Sequence, residues 1–278
     1  MELSAPRPVL VADLFQPLLE NLLTLLRGLP VEEWKRPTKC GSWTVREVAV
    51  HLLGGDIGVL SHRRDGYSPS HFEAASWNEL IQSINEQNDL WVVGTRRLSP
   101  KLITQLLAFT GPQVINLFRS LDPFAIGVPV DWVGPDPAPI WLDLAREFTE
   151  RWHHQQHIRQ AIGRPGMLGP EYLSPVLESF VLALPRTFSG VAARLGDTIQ
   201  INFTGPAGSQ WVLERKSGNW QLWRGQAEAP LAKVTIPDQL AWQIFTKSLR
   251  PTKTQVQAWI GGDLMLGEKV LEMVSILA

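Results

Sequence analysis

Between positions 147 and 157 the chain gathers Glu147, Glu150, His153, His154 and His157, half of its 6 histidines in one short stretch. On a helix turning about 100° per residue, Glu150, His154 and His157 fall at about 0°, 40° and −20°, so their side chains share one stripe. A glutamate and a histidine one helical turn apart can both reach a single cation on that face, as helical zinc sites take two ligands from positions i and i+4. A further ligand has to come from another element. His51 is the best placed candidate, because it lies on a second helix beside that helix's apolar stripe, and metal sites in bundles are built from facing helices. His153 and His157 thicken the pair, so the ligand assignment can slip by one turn, with His157 completing or supporting the site. Glu147 is a candidate acceptor for the N–H of a ligand histidine. The competing reading is an ordinary solvated helix face, weakened by the scarcity of histidine elsewhere, where His62 and His71 are the remaining two.

Three protein ligands leave an open position, where a water or thiol is acidified enough to exist as its anion at neutral pH. Two imidazoles and a carboxylate suit zinc first, although nickel and other divalent ions accept the same ligands. Cys40, the single cysteine, stands just ahead of a helix N-terminus, where the dipole favours a thiolate. It is equally well explained as a small turn residue.

The elements that must position these groups are legible from spacing. Leu14, Leu18, Leu22, Leu25 and Leu26 recur at helical steps from Ala12 to Leu29, closed by Gly28 and Pro30. Thr44-Val45-Arg46-Glu47 forms a capping box that opens the helix carrying His51, with Val45, Val48, Ala49 and Leu52 behind it. Trp77 to Leu98 and Pro100 to Leu121 are two further helices, divided by the N-cap and first-turn proline Ser99-Pro100. Residues 122–139, rich in proline and glycine, are expected to be a long loop. The helix with the histidines runs from about Ile140 to Ile162 and ends at Gly163 and Pro165. Another is expected from Ser174 to Leu195, with Pro185 inside it.

Beyond it the texture alternates. Thr198 to Phe203, Trp211 to Glu214, Trp220 to Trp223, Leu231 to Ile236 and Gln255 to Ile260 read as strands, with helices at about 237–247 and 266–277. The expected fold class is therefore two-domain, α followed by α/β. An up-and-down helical bundle is taken as residues 1–190 and a small α/β domain as 191–278, a boundary uncertain by one helix.

Composition limits the partners. Of 278 residues, 44% are hydrophobic and 19% charged, enough for a core and too little charge for disorder. A net charge of −1 with no basic cluster gives no footprint for nucleic acid. One cysteine excludes an internal disulfide and a cysteine-based zinc knuckle. The N-terminus lacks the features of a secretory signal, and the charge-free run from Leu102 to Phe118 is short of the roughly 20 residues a bilayer span needs. A cytoplasmic location without membrane insertion is expected. There is no Gly-x-Ser-x-Gly, P-loop or Rossmann glycine pattern.

The segment Trp34-Lys35-Arg36-Pro37-Thr38-Lys39-Cys40-Gly41-Ser42-Trp43-Thr44-Val45-Arg46-Glu47-Val48-Ala49-Val50-His51-Leu52-Leu53 resembles the opening signature of the mycothiol-dependent maleylpyruvate isomerase family, within the DinB-like metal-binding superfamily. Residues 229–278, with Ile260-Gly261-Gly262-Asp263, are similar to the sterol-carrier-like domain appended to such enzymes. The resemblance implies a DinB-like bundle that binds a divalent metal, usually zinc, through His51, Glu150 and His154. It implies an isomerase or S-transferase whose cosubstrate is a low-molecular-weight thiol such as mycothiol and whose substrate is a small unsaturated acid or electrophile. Arg224 and Arg250 are candidate contacts to an acidic substrate. Two alternatives stay open: a lipid or small-molecule carrier whose metal is structural or absent, suggested by Trp211, Trp220, Trp223, Trp242 and Trp259, and a metal-dependent hydrolase with Glu147 or another carboxylate as base.

Overall fold

The computed structural model describes residues 3–67, 77–249 and 258–275. Its contacts separate into two compact units that interleave along the chain: Val11–Asp122 with Glu147–Gly166, and Met1–Leu10 with Pro123–Arg146 and Met167–Leu277.

The first unit is helical. A 3-10 turn at Ala12–Leu14 leads into α1 (Phe15–Arg27), whose buried Phe15, Leu18, Leu22 and Leu26 keep the spacing expected of one apolar face. Helix α2 (Val45–Val59) is opened by the capping box: the Glu47 carboxylate accepts from the Thr44 N–H at 2.7 Å and from the Thr44 hydroxyl at 2.8 Å. It runs on as a π-helical turn, Leu60–Arg64. Helix α3 (Trp77–Gly94) meets α2 where Gly54 lets the Trp91 ring approach; a Cβ at position 54 would stand 2.6 Å from the indole nitrogen. That nitrogen donates to the Val50 carbonyl at 2.8 Å, pinning the two helices together.

Helix α4 (Pro100–Ser120) begins as expected, with the Ser99 hydroxyl accepting from the Leu102 N–H at 3.2 Å, and packs against both α1 and α2. Pro112 lies within it. The core of this unit is drawn from Leu22, Leu26, Trp34, Val48, Leu53, Ile103, Leu107 and Ile158, so the long helix α5 (Ile140–Ala161) contributes to it from Glu147 onward. Gly163, at φ 63°, closes that helix with the left-handed conformation expected after it.

The second unit holds a mixed sheet. Its order is β5 (Trp220–Arg224), β4 (Ser209–Arg215), β3 (Thr198–Thr204), β6 (Ala232–Pro237), β7 (Trp259–Gly262), with β3 and β6 parallel and the other pairs antiparallel. Helices α8 (Asp238–Phe245) and α9 (Leu264–Leu271) pack on β6, α9 also on β7. The helix expected from Ser174 to Leu195 is interrupted. It forms α6 (Pro170–Phe180), a 3-10 turn at Val181–Ala183 and the short α7 (Leu184–Thr187), because Pro185 fits a first helical turn and not a helix interior. Helix α6 packs on α8 and α7 on β5, so this unit reaches back from the sheet to Met167. The segment expected to be a plain loop contains a two-stranded ribbon, β1 (Ile126–Pro129) with β2 (Pro137–Pro139), and clusters with the sheet-bearing unit. The strand expected from Gln255 is described from Trp259; residues 255–257 lie outside the described set.

Trp211, Trp220 and Trp242 are at most 2% exposed and fill the core of this unit. Among the described residues no helix is long and apolar enough to cross a membrane.

The capping box is the local device that starts the helix bearing His51. Thr44→Ala is expected to lower stability by about 1 kcal/mol in urea unfolding followed by circular dichroism, whereas Thr44→Ser should leave it nearly unchanged.

Candidate metal centre

Helix α5 breaks the usual rule for a core helix. Thr149, His153, His154, Gln155, Gln156 and His157 are all at most 2% exposed, and Glu147 is buried beside them. Polar groups in such a setting are costly unless partnered. Some partners are structural: Gln155 Nε2 donates to the Leu18 carbonyl of α1 at 3.0 Å, and its Oε1 accepts from Arg159.

The partner of chemical interest is Glu150. His51 Nε2, from α2, and His154 Nε2, one turn along α5, each lie 2.9 Å from the same Glu150 oxygen, Oε1. The donor atoms of His51, Glu150 and His154 all lie within 4.8 Å of one another. Glycine at 54 sets the α2 backbone close to α3. Trp43, preceding the capping box, lays its ring beside His51 with centroids 5.1 Å apart, and its indole N–H reaches Asp89 at 3.2 Å. The His51 and His154 rings meet edge to face at 4.6 Å.

Charge in this cluster is unevenly shared. Burial works against ionising Glu150, but the imidazoles of His154 and His51 outweigh it and hold its carboxyl well below the ordinary value. Burial likewise opposes charge on His154, yet the Glu150 carboxylate, helped by Cys40, raises it to about 10. His51 shares the same carboxylate but is lowered by burial, with the neighbouring His154 adding to the effect. Glu150 and His154 thus carry the ionic pair and His51 stays neutral. Burial pushes His153 well below its ordinary value and His157 down to about 3, His154 adding its repulsion in each case, so both are neutral imidazoles.

Around the cluster runs a second, purely ionic layer. Arg151 pairs with Asp56 of α2 at 3.1 Å and with Glu147, Asp56 also accepts from the Thr110 hydroxyl of α4 at 2.8 Å, and Arg63 from the π turn stands 3.6 Å from Glu147. Burial raises the Asp56 carboxyl against the pull of Arg151 and Thr110. Arg151 is held firmly charged despite its burial by Glu147 and Asp56. The layer ties α2, α4 and α5 together on the flank of the histidines. Nothing in the sequence pattern pointed to Asp56, although a carboxylate in the apolar stripe of α2 is a signal that a cation must face it.

The expected site residues are therefore distributed as follows. His51, Glu150 and His154 converge. His157 lies with Cys40 and His154 in an adjoining group whose donor atoms are again within 4.8 Å of one another, and the His153 and His157 rings meet edge to face at 4.1 Å. The Glu147 carboxylate is engaged by the two arginines. In the sheet-bearing unit Arg224 is paired with Glu178 at 2.7 Å and lies over the Trp211 ring. Arg250 and His71 lie outside the described residues, and His62 is exposed.

A carboxylate held ionised between two imidazoles, with the donor atoms already drawn together, fits a divalent cation of intermediate softness. His154 keeps a buried Nδ1 without a hydrogen-bond partner, a nitrogen whose burial hydrogen bonding alone does not repay.

Residues 15–159, more than half of the chain, match the model of the mycothiol maleylpyruvate isomerase N-terminal domain family. The crystal structure of a mycothiol-dependent maleylpyruvate isomerase is similar in fold, with a TM-score of 0.55 at 11% identity over 89% of this chain and 90% of that one. A histidine-to-alanine mutant of the mycothiol-dependent maleylpyruvate isomerase matches with the same values. No curated protein matches the chain significantly in sequence.

Asp56 tests the ionic layer. Asp56→Ala leaves Arg151 with Glu147 as its remaining carboxylate partner and is expected to cost about 1–3 kcal/mol in chemical denaturation, more than Thr110→Val.

Proposed function

This chain belongs to the mycothiol maleylpyruvate isomerase family, and from that premise we propose that it is a thiol-dependent isomerase or S-transferase with a divalent-metal centre at His51, Glu150 and His154. The observation that carries the reading is the convergence of two imidazoles from two helices on one carboxylate oxygen. Zinc is the ion these ligands suit best, with a low-molecular-weight thiol of the mycothiol type as cosubstrate and a small unsaturated acid or electrophile as substrate. When bound, such an ion lowers the pKa of a thiol at its open position, so that the sulfur is nucleophilic at neutral pH.

The residues of the chain do the rest. Glu150 supplies the negative charge that offsets a dication, and His51 and His154 supply neutral nitrogen once His154 has given up its proton. The Trp43 ring and the Trp43–Asp89 hydrogen bond limit the rotation of His51. The buried His153, His157 and Gln156 keep bulk water from the α5 side of the site, which protects a thiolate from protonation and strengthens its electrostatic environment. In the reaction proposed, the thiolate sulfur adds to the conjugated double bond to give an enolate, rotation occurs about the resulting single bond, and re-formation of the double bond expels the thiolate and leaves the other isomer. Where the enolate instead takes a proton from solvent, the sulfur is retained and the reaction is transfer.

Two observations favour this over the alternatives. Glu147, the carboxylate named as a candidate base for metal-assisted hydrolysis, is committed to Arg151 and Arg63. Three of the tryptophans that suggested a lipid cavity are packed core residues. In the same reading, residues 191–278 are the sterol-carrier-like domain and the protein works in the cytoplasm.

Purified full-length protein is expected to hold stoichiometric zinc by elemental analysis, and His51→Ala and His154→Ala each to lose it. Retention of full zinc by both variants overturns the ligand assignment. Turnover of a panel of unsaturated acids and electrophiles with several thiols is expected to need both thiol and metal; activity without thiol overturns the mechanism while leaving the metal centre intact.

A further inference from the structure

Cys40 is the chain's single cysteine, and the turn that carries it is built. Its N–H is held by the Thr38 hydroxyl at 3.1 Å, its carbonyl accepts from the Trp43 N–H at 3.0 Å, and Gly41 follows at φ 53°. Pro37 and Thr44 pair across the base of the turn. The turn is therefore held between the end of one strand-like segment and the capping box of α2, and it sets Cys40, which is partly exposed, against α5.

Against α5 the sulfur meets two imidazoles. The donor atoms of Cys40, His154 and His157 lie within 4.8 Å of one another, a spacing that one tetrahedral ion can span. His154 and His157 are each 2% exposed, and His154 has a buried Nδ1 with no hydrogen-bond partner while its Nε2 faces Glu150. A sulfur and two nitrogens gathered from a turn and one helix face are a donor set for a thiophilic cation.

We propose that Cys40, His154 and His157 form a second ligand set for a thiophilic divalent cation, adjoining the His51–Glu150–His154 set through the shared His154. The two sets differ in character: the first offers nitrogen and oxygen, the second nitrogen and sulfur. Binding at the second forms a metal–sulfur bond and releases the thiol proton to solvent, with no change of oxidation state. Because His154 is common to both, the sets either hold neighbouring ions or compete for one.

Cobalt(II) reports the donor directly, since a thiolate ligand adds a sulfur-to-metal charge-transfer band to its spectrum and this chain has one sulfur able to supply it as a thiolate. The apo full-length protein, reduced with a phosphine and titrated with cobalt(II), is expected to show that band. Cys40→Ser should abolish it while ligand-field bands remain, and His157→Ala should weaken cobalt binding in the fraction that carries it. His51→Ala should remove the nitrogen–oxygen site yet keep the charge-transfer band, which separates this proposal from the centre on which the function rests. In the wild type, where folding is not in question, zinc should slow alkylation of Cys40 by iodoacetamide at least ~10-fold. Absence of the band in the wild type, its survival in Cys40→Ser, or alkylation unaffected by zinc overturns the proposal. So does loss of the band in His51→Ala, which would place Cys40 in the first set.

Discussion

The constraint on which the helical unit depends is a buried polar stripe on a core helix. From Glu147 to His157, α5 turns carboxylates, imidazoles and carboxamides into an interior where leucine and valine would be cheaper. Such a helix stays in place only if every neighbour answers it. Leu18 of α1 lends a carbonyl, Asp56 and His51 of α2 lend an anion and an imidazole, and Thr110 of α4 completes the charge layer by way of Asp56. The bundle is fitted to its site as much as the site to its bundle.

Stability does not explain that arrangement. A buried ion pair such as Asp56–Arg151 returns little beyond the desolvation it costs, and an apolar pair of equal volume would commonly do as well. What it gives is register. With Arg151 fixed by Asp56 and Glu147, the preceding residue, Glu150, is presented toward α2, where His51 meets it at 2.9 Å. The apolar contacts nearby act to the same end: Gly54 admits Trp91, and the Phe15 ring meets Phe118 at a tilt and Phe148 edge to face, with centroids 4.9 and 5.8 Å away. A site that needs donor atoms placed to within fractions of an ångström gains more from rigid elements than from net stability.

Legibility in the sequence followed the physics of each feature. Local signals were readable: the Thr44 box, the Ser99 cap, the Gly163 terminator and the single helical face of Glu150 and His154 all depend on neighbours a turn away. The pairing of His51 with that face was readable because a polar residue beside an apolar stripe must face something. Features made by long-range packing were not. Asp56 and Arg151 are 95 positions apart, and only the fold makes them partners. The ribbon at 126–139 was hidden by prolines, which can sit at the edge of a two-stranded ribbon without spoiling it, and the break before α7 by a Pro185 that suits a helix start. Cys40 was placed correctly ahead of α2, but a turn's direction depends on tertiary contacts, so its approach to His157 had no sequence signature.

That difference in origin also separates the two donor sets in kind. His51, Glu150 and His154 stand on helices whose positions are over-determined by caps, aromatic contacts and ion pairs, so their spacing is a property of the bundle. Cys40 stands on a turn closed by three backbone hydrogen bonds and the Thr38 hydroxyl, so its position is set by that turn and not by a helix. An ion bound as proposed through His154 would lie between a carboxylate-bearing set on one side and a sulfur-bearing set on the other. Were both sets to bind as proposed, harder cations would favour the first, because carboxylate oxygen is the stronger ligand for them, and softer ones would gain from the thiolate. In the proposed scheme an external thiol at the first set would supply the kind of sulfur ligand that Cys40 offers the second, so occupancy of one would bear on demand for the other.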